Sequence, residues 1–316
     1  MLSILHIAIF IVSLIALSFS SKWLVGSLIK ISKYLGWKEF VVAFFTMALA
    51  ATGPNLFLAI SSIIHKTPVL SFADIVGGNI VDLTIAIGLA VLISKNSLSL
   101  KSRTVQGSAI FVLIVSLLPL ILIADGDLDR ADGIVLMLTF FIYIAWMFRK
   151  KEMFVKIYES PEPTNFIQAI KNFIILGGSL GLLVLSAEGI VRSSRYFADL
   201  FNLPLAIIGI FIVGLGNCLP EIIFAIRAAK EKDDWMVIGN LMGSIIIPST
   251  FVLGLVALFA PITQIDFSIF RSARIFLFIA AVVFFIFIKT DKKITKKEAA
   301  ILFSIYILFI IFEIIF

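Results

Sequence analysis

Charge is scarce in this chain. Of its 316 residues only 15% are Asp, Glu, Lys or Arg, while 61% are hydrophobic, against about 25% charged and about 45–50% apolar in soluble domains. That leaves too little polar surface to coat a water-soluble fold of this size. Cysteine is scarcer still: Cys218 is the only one, which excludes an internal disulfide and leaves the redox compartment undetermined. The two histidines, His6 and His65, form no metal motif such as H-E-x-x-H, and no nucleophile stands with a base, so the chain is not read as an enzyme. Long polar stretches are missing as well. The longest, from Arg149 to Gln168, holds Pro161 and Pro163 and is read as a linker. No segment alternates polar with apolar residues over strand length, which sets aside a membrane β-barrel.

What is present is a succession of apolar blocks. A helix needs roughly 20 residues to cross a hydrocarbon layer, and ten blocks are of that order: 4–30, 40–63, 69–93, 106–124, 133–148, 170–192, 203–229, 235–260, 270–288 and 298–316. The expected fold is therefore an all-α membrane protein with ten transmembrane helices. No Lys or Arg precedes the first block, so a cleaved secretory signal is not expected. With ten crossings both termini share a side. Basic residues then sort six to that side against nineteen to the other, with Lys22 inside the first block. Positive residues stay in the cytoplasm, so the termini are expected to be extracellular or periplasmic, in a multi-pass plasma-membrane protein. The net charge of +6 follows from this asymmetry and from anionic lipid. The bilayer is the expected partner, no nucleic acid is, and the sequence says nothing about protein partners.

The chain also repeats itself. Residues 40–93 align without gaps on 206–259, placing Pro54 on Pro220, Gly77 on Gly243 and Gly88 on Gly254, each pair 166 apart. The offset extends back into the first helix of each half, where Ser20, Val25 and Ser27 fall on Ser186, Val191 and Ser193. The domain reading is a first five-helix repeat at 1–150, a cytoplasmic linker at 151–168 and a second five-helix repeat at 169–316. Five is odd, so the second repeat enters the membrane from the opposite side. Inverted-topology repeats of this kind hold substrate near the midplane, where Gly and Pro interrupt corresponding helices. Gly53 and Pro54 are expected to break the second helix, and Gly216 and Pro220 the seventh, freeing carbonyls for a cation.

At these residues the chain resembles the calcium/cation antiporter superfamily, which includes the sodium/calcium exchangers. The family carries G-T-S-x-P-E on one helix of each repeat and G-N-x-x-G-S-N-x-x-[ND] on the next. Gly216-Asn217-Cys218-Leu219-Pro220-Glu221 and Gly239-Asn240-Leu241-Met242-Gly243-Ser244-Ile245-Ile246-Ile247-Pro248 are similar to the second repeat. The first repeat is more divergent, with Ala50-Ala51-Thr52-Gly53-Pro54-Asn55 and Ala73-Asp74-Ile75-Val76-Gly77-Gly78-Asn79-Ile80-Val81-Asp82. The resemblance implies a secondary cation antiporter with no cofactor, exchanging Ca²⁺ or a similar cation for Na⁺ or H⁺ by alternating access.

The departures fall on the ion-binding positions. Glu221 matches one of two family glutamates, Asn55 replaces the other, and Pro248 stands where relatives carry an acid or amide. Asp82 adds a carboxylate where relatives commonly have asparagine. An intramembrane acid costs about 2.5–3.5 kcal/mol on insertion scales and is a functional candidate by default. A hard dication wants carboxylate, amide and carbonyl oxygens, so Glu221 and Asp82 are the expected metal ligands. Asn55, Asn217, Thr52 and Ser244 are the expected neutral ones, with Cys218 as a soft contact. Thinned hydroxyls and acids imply weak Na⁺ binding. The rival reading is an exchanger-derived membrane protein that no longer transports, or has altered specificity. The run Asp125-Gly126-Asp127-Leu128-Asp129 lacks the glutamate that closes a calcium loop and is read as an acidic outer turn.

Overall fold

The computed structural model describes residues 2–34, 39–93, 97–99, 103–148, 166–231, 234–263, 265, 267–290 and 293–315. Most of the sequence's expected linker, residues 149–165, lies outside them. Helix α1 (Leu2–Tyr34) is followed by α2 (Glu39–Ile64), and α3 (Pro68–Val81) runs through a π-helical turn, Asp82–Ala86, into α4 (Ile87–Ile93). Next come β1 (Leu98–Ser99), α5 (Arg103–Leu122) and α6 (Arg130–Phe148). A long α7 (Phe166–Phe201) leads to α8 (Leu205–Ile207), a π-helical stretch Ile208–Val213, α9 (Gly214–Asn217) and α10 (Leu219–Lys230). Finally α11 (Asp234–Ile247), a π turn Pro248–Val252 and α12 (Leu253–Phe259) precede α13 (Arg271–Thr290), β2 (Lys293–Ile294) and α14 (Lys296–Ile315).

Every apolar block of the sequence is helical, because a backbone in lipid must satisfy its own N–H and C=O groups. Among the described residues, eight helical stretches of 18 to 36 residues are long and apolar enough to cross a membrane. The two remaining blocks form α2 and α14. Polarity is distributed for lipid. Ile4, Val12 and Ile15 on α1 and Ile167, Ile174 and Leu185 on α7 are exposed, whereas Asp74, Asn79, Asp82, Asn217 and a series of serines are buried. A water-soluble protein would hardly expose so continuous an apolar surface.

The internal offset holds in the backbone. Helix α3, its π turn and α4 begin and end 166 residues before α11, its π turn and α12, without a residue's difference. One expectation fails here: α2 runs as an unbroken helix through Gly53 and Pro54. An internal proline forfeits one ladder hydrogen bond at a cost of about 3 kcal/mol, yet α2 absorbs this within its packed surroundings. The second half does break, since α9 ends at Asn217 and α10 restarts at Leu219, with Pro220 in its first turn. That is where proline's missing N–H costs least.

Two apolar cores result. One centres on α1 and α7, which pack lengthwise through Phe10, Leu17, Leu24, Leu183, Ile190 and Val191, and it takes in Leu58 of α2, Leu70 of α3 and Ile208 and Val213 of the π-helical stretch. The larger is built by the other helices around Phe72, Ile80, Leu83, Val237, Ile246 and Phe284. The halves of this bundle meet where α3 crosses the 208–217 segment. A Cβ on Gly77 would overlap the backbone carbonyl of Ile210, and one on Gly214 would lie 2.9 Å from the Gly78 nitrogen. Backbone therefore rests directly on backbone, an approach that only small residues permit. Short pairings tie the loops, β1 with β2 antiparallel and Leu128 with Ile262. The acidic turn is a helix cap: Asp129 N donates to Asp132 Oδ2 at 2.9 Å and Asp132 N to Asp129 Oδ1 at 3.0 Å, a reciprocal box that satisfies two end donors of α6.

Candidate functional site

Beside the glycine seam, α2, α3, α9, α10 and α11 enclose a small cavity. Its walls are Asn55 from α2, Asp74, Gly78, Asn79 and Asp82 from α3 and its π turn, Asn217, Cys218 and Glu221 around the α9–α10 break, and Ser244 and Pro248 from α11 and its π turn. The free volume is about 10 Å³, close to what one water molecule fills and enough for one bare ion. The π turns matter to its shape. Each winds wider than an α turn, a form that concentrates at functional sites, and each places its first residue, Asp82 or Pro248, on the cavity wall.

The polar groups fall into two sets. In the first, the Ser244 hydroxyl donates to Asp82 Oδ2 at 2.5 Å and also reaches the Leu241 carbonyl at 3.0 Å. The other Asp82 oxygen, Oδ1, is buried without a hydrogen-bond partner, and so is Glu221 Oε2. In the second, the Asn217 amide nitrogen donates to Asn55 Oδ1 and lies 3.3 and 3.4 Å from the two oxygens of Asp74. The Cys218 thiol reaches the Gly78 carbonyl at 3.6 Å. Asn79 Nδ2 donates to Ser249 Oγ at 2.7 Å, joining α3 to the opposite π turn. Among the described residues no three His, Cys, Asp or Glu side chains close on one point as a ready metal cage.

Of the residues singled out from sequence, Glu221, Asp82, Asn55, Asn217, Ser244 and Cys218 all line this cavity, and Thr52 does not. Thr52 is buried on α2, one turn before Asn55. Asp74 lines it too, and sequence reasoning passed it over. It occupies the asparagine position of the G-N-x-x-G-S-N pattern, with Asn240 as its mate 166 residues on. The default suspicion of any intramembrane acid would have found it.

Glu188, Lys22 and His6, outside the cavity, have neighbours of their own. Glu188 on α7 accepts from Ser61 at 3.2 Å and pairs with His65 Nε2 at 2.9 Å and with Arg192, tying α7 to the end of α2. Its mate at the same offset, Lys22, is exposed on α1, stands over the Phe19 ring at 5.7 Å and acts electrostatically on Glu221. His6 stacks on Tyr196 with ring centroids 3.8 Å apart.

Comparison with known proteins agrees with this architecture. A family model described as sodium/calcium exchanger protein matches the chain twice, over residues 5–149 and 171–315. The sodium/calcium exchanger MaX1 of Methanosarcina acetivorans is 23% identical over 346 residues, covering 96% of this chain and 97% of that protein. The inner membrane protein YrbG of Escherichia coli is 22% identical over 272 residues, covering 82% of this chain and 81% of its own length. Among solved structures, the sodium-calcium exchanger NCX_Mj soaked with Na⁺ and Sr²⁺ superposes with a TM-score of 0.63 at 25% identity, over 97% of this chain and 98% of that one.

Proposed function

The chain belongs to the sodium/calcium exchanger protein family, a family of transporters and not of enzymes, and from that premise we propose that it exchanges Ca²⁺ or a chemically similar cation for Na⁺ or H⁺. The observation that carries this reading is the pair of orphaned carboxylate oxygens, Asp82 Oδ1 and Glu221 Oε2, at one ion-sized cavity. A buried carboxylate oxygen without a donor is expensive. A hard cation between the two removes that cost by coordination. Ser244, Asn55, Asn217 and the Gly78 carbonyl supply neutral oxygens around it, Cys218 a softer contact, and Thr52 support from behind on α2.

The proposed architecture is ten crossings in two inverted five-helix repeats, 1–150 and 169–316, joined by a cytoplasmic linker at 151–168. Both termini face outward from the plasma membrane. One carboxylate of the pair comes from each repeat, Asp82 from the first and Glu221 from the second, and movement of α1 and α7 against the rest of the bundle changes which side reaches the ion. The α1–α7 pair, packed lengthwise helix on helix, is the element suited to that movement.

The test is uptake of radiolabelled Ca²⁺ into proteoliposomes along imposed Na⁺ and proton gradients. Flux well above that of empty liposomes is expected. Flux equal to empty liposomes for every dication tried would overturn the antiporter reading in favour of a non-transporting descendant.

A further inference from the structure

We propose that His65 and Glu188 are positioning residues for the exchange: their contact holds α7 against the end of α2 in one of the arrangements of the cycle, and it holds fully only while the His65 ring carries both its protons. This rests on the antiport reading, in which α1 and α7 move against the rest of the bundle. It adds the residues that weigh one arrangement against the other.

Helix α2 closes on a Schellman-type cap. Thr67 N donates to the Ser62 carbonyl at 2.8 Å and Lys66 N to the Ile63 carbonyl at 3.1 Å, with Lys66 in the left-handed region at a φ of 56°. The His65 ring therefore stands on a fixed helix end. Its Nδ1 lies 2.9 Å from the Ser61 carbonyl, and a carbonyl only accepts, so Nδ1 is the donor. Its Nε2 lies 2.9 Å from Glu188 Oε1. That same oxygen takes Arg192 Nε, while the Ser61 hydroxyl donates to Oε2 at 3.2 Å. A carboxyl group receiving from an always-charged guanidinium is the acceptor, so Nε2 donates as well. Only the imidazolium has a hydrogen on both nitrogens. Arg195 adds a grip that does not depend on the ring, donating from α7 to the His65 backbone carbonyl.

When the ring gives up one proton, a lone pair turns either on the Glu188 carboxylate or on the Ser61 carbonyl. The contact then loses one of its two bonds and its charge. Imidazole makes that change between about pH 5 and about pH 8, so the tie is strong in acid and weak in base. A shift of α7 by one helical turn, about 5.4 Å, carries Glu188 beyond the reach of both His65 and Ser61. The two side chains are 22% and 26% exposed, so water tempers the contact to about two- to fivefold in the ratio of the arrangements. The charged groups on this face are Glu188, Arg192 and Arg195 of α7, with Asp199 a turn further on and Lys66 beside the ring in its own turn. Of the other helices packed on α2, α3 and its π turn bring Asp74 and Asp82, which line the central cavity, and α11 brings Asp234 at its first residue. Helix α1 brings His6, stacked on Tyr196, and Lys22, over Phe19.

Two spin labels report the arrangement, attached through Ile64→Cys on α2 and Ile174→Cys on α7, both exposed positions, in the full-length Cys218→Ser protein in proteoliposomes. Between about pH 5 and about pH 8.5, the share of the label distance found in this structure should fall about two- to fivefold against any other distance. Adding His65→Gln or Glu188→Gln should abolish that factor, and adding both should change nothing more. The acids of the central cavity are common to all these proteins, so the comparison isolates the ring. Should His65→Gln fail to fold, Glu188→Gln breaks the same contact from the other helix. A full pH response in Glu188→Gln would overturn the proposal, as would label distances that ignore pH in the parent; with normal Ca²⁺ flux in the wild type, either result leaves antiport standing. Wild-type protein without dication flux would overturn both.

Discussion

The two halves of this molecule share a backbone and differ in chemistry. Helix α3, its π turn and α4 are reproduced residue for residue 166 positions later, yet along this stretch the first half places Asp74, Gly78, Asn79 and Asp82 where the second has Asn240, Ser244, Ile245 and Pro248. One helix earlier the imbalance reverses. Thr52 and Asn55 lie on an unbroken α2, while Cys218 and Glu221 flank the break between α9 and α10. Shape is held by apolar periodicity and glycine spacing, which tolerate many substitutions, whereas a cation counts only oxygens and charge. An acid can therefore leave one half and be replaced from the other without disturbing a helix boundary.

The largest test of that comparison removes one acid from each half. Glu221→Gln and Asp82→Asn should each reduce dication flux in proteoliposomes to background, because the remaining carboxylate faces a dication alone. Neutralising a buried acid also removes a desolvation cost, so thermal unfolding without ions should show both variants at or above the wild-type midpoint. A variant with full flux would show its acid to be structural.

A second test moves the charges back to the family's pattern. Asn55→Glu with Asp82→Asn sets two carboxylates together, at positions 55 and 74, and like charges at that range oppose one another. Flux should recover partly at best. Adding Asp74→Asn restores the family's asparagine and should recover more. Better flux from the double variant than from the triple one would show that Asp74 does not feel position 55.

The third test concerns the seam. Gly77→Ala puts a methyl group on the Ile210 carbonyl, and overpacking of this kind costs about 1–3 kcal/mol, read as a lower unfolding temperature. An unchanged midpoint would show that the two segments part easily.

The smallest effect is expected at the mates Lys22 and Glu188. Removing an exposed charge that acts at a distance is worth about 0–1 kcal/mol, so Lys22→Gln should tighten Ca²⁺ binding by a few-fold at most. Glu188→Gln should instead act on stability, since it unties α7 from His65 and Ser61. Weaker Ca²⁺ binding in Lys22→Gln would mean that its ammonium is not a rival of the ion.

Much of this was legible in the residues. The helical blocks could be read because lipid leaves a long apolar run no other fold, and the repeat because its glycines and prolines recur at one spacing. Glu221, Asp82, Asn55, Asn217, Ser244 and Cys218 line the cavity, and each can be found by asking which polar groups sit beside those glycines. Thr52 and Asp74 mark the limit. Which residue of a turn faces a cavity depends on helix rotation, set by packing with distant segments, and the pattern of a related motif drew attention away from an acid at its asparagine position. Proline misled for a similar reason. Whether Pro54 breaks a helix depends on neighbours that a single sequence does not display.

The glycine seam has a mechanical consequence. A contact made of side chains can shear, because rotamers trade places as surfaces slide, but at Gly77 and Gly214 main chain bears on main chain and no rotamers exist to trade. Such a joint is stiff. It fixes α3 and the 208–217 segment as a single beam, with Asp74 and Asn217 mounted on either side of it. A passing ion then meets ligands whose spacing does not change through the cycle, and compliance is left to the parts of the protein that carry no charge for it.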